Sequence, residues 1–176
     1  MNILEKIIDS KTKEIAEKTK IISIERLQDS QRLYEIRNFK QSLQNNHIDI
    51  IAEIKRKSPS MGDILTNYSP KEIAKQYAKN GASVISVLTD EPFFGGKLDY
   101  ISEVKSVIDI PVLRKDFIIS EYQIWESYHA GADAILLIAD ALEQDQMNTL
   151  YQFEQIHLLK MQIALYFVRF IQRERN

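Results

Sequence analysis

The segment Ile48-Asp49-Ile50-Ile51-Ala52-Glu53-Ile54-Lys55 decides the fold of this chain. In an extended backbone successive side chains alternate between faces, so Ile51, Glu53 and Lys55 share one side and Ile50, Ala52 and Ile54 the other. Both sides are largely apolar, as in a strand of a parallel sheet covered on both faces. An acid and an amine on such an inward face need each other or a ligand. They stand at the C-terminal end of the run, which is where barrels of parallel strands carry their ligand sites. The same two residues also read as a structural Glu–Lys pair that closes the strand.

Three further β-rich runs follow, at Ala82 to Thr89, Ile110 to Phe117 and Ala134 to Ala139. Helical periodicity fills the intervals at Pro70 to Asn80, Tyr100 to Val107 and Glu121 to Ala130. Ser69-Pro70 supplies a cap and a first-turn proline. Gly81 and Gly131 stand just past helix ends, where a left-handed cap is wanted. Strands alternating with helices predict an α/β chain with a parallel sheet, either doubly wound or a barrel. A complete (β/α)₈ barrel takes about 250 residues, and this sequence has 176. Four βα units are visible; read as a barrel rather than a doubly wound sheet, the chain would hold half the staves and leave an open edge at Ala134 to Ala139.

Ahead of the barrel, Ile3, Leu4, Ile7, Ile8, Ile15 and Ala16 recur at helical spacing and predict an amphipathic helix lying over something larger. A second helical stretch is expected from about Ile24 to Gln44, broken near Asn38. The organisation expected is a helical extension over 1–46, half-barrel units over 47–157, and an atypical tail over 158–176 that packs on the open edge as strand or helix. The apolar faces left by such a half-barrel predict self-association.

Composition narrows the ligands. Net charge is −2 with acids and bases interspersed, so no basic face for nucleic acid or an anionic membrane is expected. The chain has no cysteine, which excludes a disulfide framework, a thiolate metal site and a cysteine nucleophile. Its longest apolar runs fall far below the roughly 20 residues of a membrane-spanning helix; a soluble, cytoplasmic protein is the expectation. His47, His129 and His157 lack metal-ligand spacing, so no metal is expected. The expected partner is a small molecule.

The third run ends in Arg114-Lys115-Asp116-Phe117, and alternation puts Lys115 on a face with Leu113 and Phe117. Two inward amines at two strand ends make a positive field suited to phosphate or carboxylate groups. A lysine in such a field is a usable general acid. The loop Arg56-Lys57-Ser58-Pro59-Ser60-Met61-Gly62 reads as an anion-wrapping loop or as an ordinary turn. In Thr89-Asp90-Glu91-Pro92-Phe93-Phe94-Gly95-Gly96 the aromatic pair reads either as a clamp for an aromatic substrate or as a hydrophobic plug.

The string IIAEIKRKSPSMGDI from Ile50 to Ile64 closely resembles the first-strand signature of the indole-3-glycerol phosphate synthase family. SVLTDEPFFGG, PVLRKDFI and GADAILLI resemble its next three strand motifs in order, and ILEKIIDSKTKEIAEK its extra N-terminal helix. The resemblance covers about residues 2–157 and implies a TIM barrel fold. It also implies a carbon-carbon lyase that closes the indole ring of 1-(2-carboxyphenylamino)-1-deoxyribulose 5-phosphate in tryptophan synthesis, without metal or organic cofactor. Lys115 would be the general acid, Lys55 would hold the substrate's carboxylate and phosphate end, and Glu53 would orient Lys55. Ser58 would contact substrate, while Phe93 or Phe94 and Phe117 would flank its ring. The stretch Gln162 to Phe170 departs from the family, because it lacks the fifth-strand glutamate that acts there as acid or base. No activity is therefore expected of these 176 residues alone. Two rivals stand beside this reading. Phosphoribosylanthranilate isomerase is set aside because it uses a cysteine base, and a non-catalytic half-barrel is told apart by assay of turnover.

Overall fold

In the computed structural model, residues 2–46, 48–59, 62–63, 68–156 and 161–166 are described. Helix α1 (Ile3–Ile21) opens on a capping box in which Asn2 and Glu5 exchange side-chain-to-backbone hydrogen bonds. A short α2 (Ile24–Gln28) follows. The strands are β1 (Ile51–Ile54), β2 (Lys57–Ser58), β3 (Gly62–Asp63), β4 (Val84–Leu88), β5 (Val112–Lys115), β6 (Ala134–Ile138) and β7 (Gln162–Tyr166). Between them lie α3 (Pro70–Lys79), α4 (Glu91–Phe94), α5 (Asp99–Lys105), α6 (Glu121–Ala130) and α7 (Gln144–Ile156). Strands β1, β4, β5, β6 and β7 form one parallel sheet in that order. Each sheet strand lies beside the one before it in the chain, which is the topology of successive barrel staves.

The signals at element ends act where the sequence placed them. The Ser69 hydroxyl accepts the Glu72 amide at 3.4 Å with Pro70 in the first turn, and Gly131 closes α6 at φ 99°. A side chain at Gly131 would stand 2.8 Å from the Tyr34 ring, so conformation and space both require glycine there.

Two expectations are modified. Part of the expected tail packs on the Ala134 to Ala139 edge, as a strand, so that edge is not open: β7 pairs with β6 from Ala134↔Gln162 to Ile138↔Tyr166. The barrel wall therefore holds five strands among the described residues, and residues 162–166 of the expected tail supply the fifth. The helix expected over 24–44 is realised only in α2 and a 3₁₀ turn at Gln41–Leu43. Between them tertiary bonds outweigh helical propensity. The Arg37 amide donates to Asp133 at 2.7 Å, and its guanidinium donates to the carbonyls of Ile110 at 3.0 Å and Lys105 at 3.3 Å. The Arg32 guanidinium donates to the carbonyls of Tyr34, Tyr128 and Ala132 and lies 4.9 Å from the centroid of the Tyr128 ring. Irregular, non-helical backbone at 31–37 lets these arginines satisfy the carbonyl ends of α5 and α6, which a helix would leave bare. The sequence readings at His47, His157, Ser60, Met61 and 167–176 lie outside the described residues.

The sheet separates two apolar layers. Toward the helices, Ile54, Ile85, Val87, Val112, Ile135 and Leu137 pack with Ala74, Ile101, Val104, Ile124, Trp125 and Leu150. On the concave face Val84, Leu113, Ala134, Leu136 and Ile138 gather with Phe39. At roughly 1.5–3 kcal/mol for each fully buried large aliphatic side chain, the helix-facing layer is the main source of stability. Among the described residues no helix is long and apolar enough to cross a membrane.

The end of the sheet opposite the strand C-termini is tied by one carboxylate. Asp133, fully buried, accepts from Lys105 Nζ, from the Val112 amide at 2.8 Å and from the Arg37 amide. Burial pulls the Lys105 amine down to about 8 in spite of Asp133, with Arg37 and Arg32 adding to the fall. Asp133→Asn leaves that amine buried without its counter-charge and should cost about 3–5 kcal/mol. Urea unfolding measures this, and a loss below about 1 kcal/mol would show that Asp133 is not the tie.

Candidate active site

The concave face at the strand C-termini is built by alternation and register. β1 and β4 pair Glu53↔Ser86 and Ile54↔Val87, which brings Lys55 level with Leu88. β4 and β5 pair Leu88↔Lys115. Lys55 and Lys115 thus stand at one height with a single strand between them, about 10 Å apart at the backbone. The Arg114 side chain reaches the Gln123 carbonyl at 3.1 Å and the Ser127 hydroxyl at 3.0 Å on α6. Its neighbour Lys115 therefore projects to the opposite, concave side.

Lys55 Nζ donates to Glu53 Oε1 at 2.9 Å, and the two side chains keep 32% and 34% of their surface exposed. The pair is formed on the concave side, and its exposure leaves the amine reachable by a ligand. Of the two candidate aromatics after β4, Phe94 is the one that approaches Phe117, with ring centroids 6.3 Å apart and tilted by 32°. Both rings are half-buried. The Asp90 carboxylate accepts the Phe93 amide at 2.9 Å and caps α4. The turn then closes on Gly96, whose amide donates to the Asp90 carbonyl at 2.8 Å. A side chain at Gly96 would lie 2.3 Å from the Leu88 carbonyl oxygen, so the backbone approach that folds this turn over the strand end needs glycine.

Ser58 lies in the two-residue ladder β2–β3, with Lys57↔Asp63 and Ser58↔Gly62. A cavity of about 420 Å³ is lined by Arg56, Lys57 and Gly62 of this hairpin and its approach and by Glu91, Gly95 and Lys97 of the turn after β4. Among the described residues of its lining, three cations stand against one carboxylate.

Three features at the site were not singled out in the sequence. The Ser86 hydroxyl, on the concave face beside Glu53, is 3% exposed and has no hydrogen-bond partner among the described residues. Behind the strand ends, Asp116 Oδ2 accepts the Thr89 hydroxyl at 2.6 Å and Arg114 Nη2 at 2.9 Å. Lys11, from α1, inserts an amine of 1% exposure between Asp116 at 3.1 Å and Asp90 at 3.3 Å. The alternation that sends Lys115 inward necessarily sends Arg114 and Asp116 toward the helices, and that was the available signal for the second feature. Its local partner Glu14 makes Lys11 look like an ordinary helix-surface cation, and its two barrel partners, Asp90 and Asp116, lie 79 and 105 residues away.

The charge balance behind the strands is uneven. Burial pushes the Asp116 carboxyl upward, but Arg114 and Lys11 outweigh it and hold the group well below the ordinary carboxylate range. For Asp90 burial prevails over Lys11, and its carboxyl is raised. Lys11 would be lowered by burial, yet Asp116, Glu14 and Asp90 raise it above the usual lysine value. Among the described residues no group of three His, Asp or Glu side chains could hold a metal ion.

Over residues 4–163 the chain matches the family model described as indole-3-glycerol phosphate synthase. Curated relatives bearing that name include one from Bacteroides thetaiotaomicron, 44% identical over 165 residues that make up 93% of this chain and 63% of the relative. One from Neisseria meningitidis is 41% identical over 93% of this chain and 64% of the relative. One from Bacillus pumilus is 53% identical over 67% of this chain and 48% of the relative. The chain thus spans about half to just under two thirds of the length of these relatives.

Because Asp116 is held low in the folded state, an unfolded chain takes up its proton first as pH falls. The stability it contributes is fully present above about pH 4–5 and is lost as pH falls from there toward the depressed folded value. Asp116→Asn is expected to flatten the acid limb of stability between about pH 4 and 2, read as melting temperature against pH. An acid limb identical in the two proteins would show that Asp116 is not depressed.

Proposed function

Since this chain belongs to the indole-3-glycerol phosphate synthase family, we propose that its concave face serves ring closure of 1-(2-carboxyphenylamino)-1-deoxyribulose 5-phosphate. The observation that carries the reading is the register that sets Lys55 and Lys115 at one height on that face, together with the approach of Phe94 and Phe117 on the turns that follow β4 and β5. Phe94 and Phe117 flank the aminobenzoate ring, and Lys55, oriented by Glu53, holds the anionic end of the substrate. The ring carbon bearing the carboxylate attacks the ribulose carbonyl carbon, and the Lys115 ammonium gives its proton to the carbonyl oxygen as the bond forms. Carbon dioxide then leaves with restoration of the ring's electrons, and water leaves to give the indole. The three cations of the cavity lining and Ser58 guide the phosphorylated sugar.

By family resemblance a base and a phosphate clamp complete this reaction, and no residue among these 176 matches them. Holding all groups together is worth roughly 7–11 kcal/mol of barrier. These 176 residues by themselves are accordingly expected to give no measurable turnover. They should give turnover when paired with the C-terminal part of the Bacteroides relative that lies beyond the matched region, and self-association of the unpaired chain is expected by light scattering. In the paired enzyme Lys115→Met should lower turnover by about 10²-fold or more, as loss of a general acid does. A paired variant with near-normal indole-3-glycerol phosphate formation would place the acid elsewhere.

A further inference from the structure

Lys11 is a cation where a cover helix would ordinarily bring an aliphatic side chain. Its side chain is 1% exposed and meets Glu14 Oε2 at 2.7 Å, Asp116 Oδ1 at 3.1 Å and Asp90 Oδ2 at 3.3 Å. Two of these partners already shape the site. Asp90 caps α4 by accepting the Phe93 amide, and α4 carries Phe94. Asp116 Oδ1, the oxygen facing Lys11, accepts the Phe117 amide at 2.8 Å. One amine from outside the barrel thus joins the turns that follow two adjacent strands, each bearing one ring of the aromatic pair.

Docking α1 does not need this arrangement. Lys18, two turns further along, bridges Glu14 at 2.8 Å and Glu126 of α6 at 3.0 Å, and the Tyr122 hydroxyl donates to the Lys18 carbonyl at 3.3 Å. Those bonds hold the helix to the barrel without touching Asp90 or Asp116. A buried cation shared by carboxylates from two strand ends is costly as an anchor, whereas it fixes their separation with little freedom to relax.

We propose that Lys11 is a positioning residue: it sets the spacing of Phe94 and Phe117 and the path of the backbone that presents Lys115 to the concave face. This rests on the functional reading above for its consequence in catalysis, while the positioning itself is measured without turnover. Amide hydrogen exchange is compared in the unaltered chain, Lys11→Met, Lys11→Arg and Lys18→Met. Exchange at the Phe93 and Phe117 amides should quicken roughly tenfold in Lys11→Met and stay near the unaltered rate in Lys18→Met. Lys11→Arg, which keeps the charge, should restore slow exchange at both amides. Equal acceleration in Lys11→Met and Lys18→Met, or none in either, would overturn the proposal. If Lys11→Met does not fold, Asp90→Asn, which keeps a capping oxygen but loses the charge facing Lys11, should quicken Phe93 alone, and no change there would overturn it equally. Exchange that responds as stated in a chain whose paired form lacks turnover sinks the functional reading and leaves Lys11 its role. Turnover with unresponsive exchange does the reverse.

Discussion

At the end of β5, consecutive residues must point in opposite directions. Arg114 and Asp116 go toward the helices and Lys115 toward the concavity, so a strand of four residues serves a buried ionic cluster on one side and an open site on the other. The cluster then governs the rest of the upper surface. Thr89, after β4, bonds to Asp116 through its hydroxyl and to the Lys115 carbonyl through its amide at 3.1 Å. α6 contributes Glu126 and Ser127 to Arg114, and α1 contributes Lys11. Each bond constrains a backbone that also carries a residue of the concave face.

The energetic meaning of this cluster differs from that of the aliphatic layers. Apolar residues of similar shape commonly replace buried ion networks at no cost in stability, and the helix-facing layer already supplies burial in quantity. What the charges add is direction. A guanidinium that satisfies a carboxylate, a hydroxyl and a helix carbonyl admits few arrangements, and the strand ends inherit that restriction. A site that aligns two amines and two rings depends on backbone placement to within about half an ångström, which dispersion forces alone specify poorly. The lower end of the sheet repeats the device with Asp133, Lys105 and two arginines, there to close the fold beneath the strands.

Much of this was legible in the sequence because the rules involved are local. Period-two alternation located the inward faces of β1 and β5, glycines past helix ends marked two turns, and Ser69-Pro70 marked the start of α3. The motifs, taken in order, identified the family, and the family model matches from residue 4 to residue 163. Where a distant partner decides the outcome, local rules failed. Residues 31–37 have helical neighbours and an acceptable helical pattern, yet their arginines gain more from the carbonyl ends of α5 and α6. The stretch at 162–166, expected to cover the open edge as strand or helix, does so as a strand although its side chains depart from the family signature: parallel pairing with β6 needs only backbone amides and carbonyls and a suitable apolar alternation, with Ile163 toward the helices and Ala164 toward the concavity.

The sequence by itself determined the parallel α/β architecture, the candidate amines Lys55 and Lys115 and the aromatic residues near them, because side-chain direction along a strand follows from backbone geometry alone. Only the tertiary structure decided that Phe94 rather than Phe93 meets Phe117, and that Lys11 reaches two carboxylates on neighbouring strand ends. Those outcomes depend on strand register and helix docking, which bring together groups up to 105 residues apart whose mutual attraction leaves no trace in local spacing.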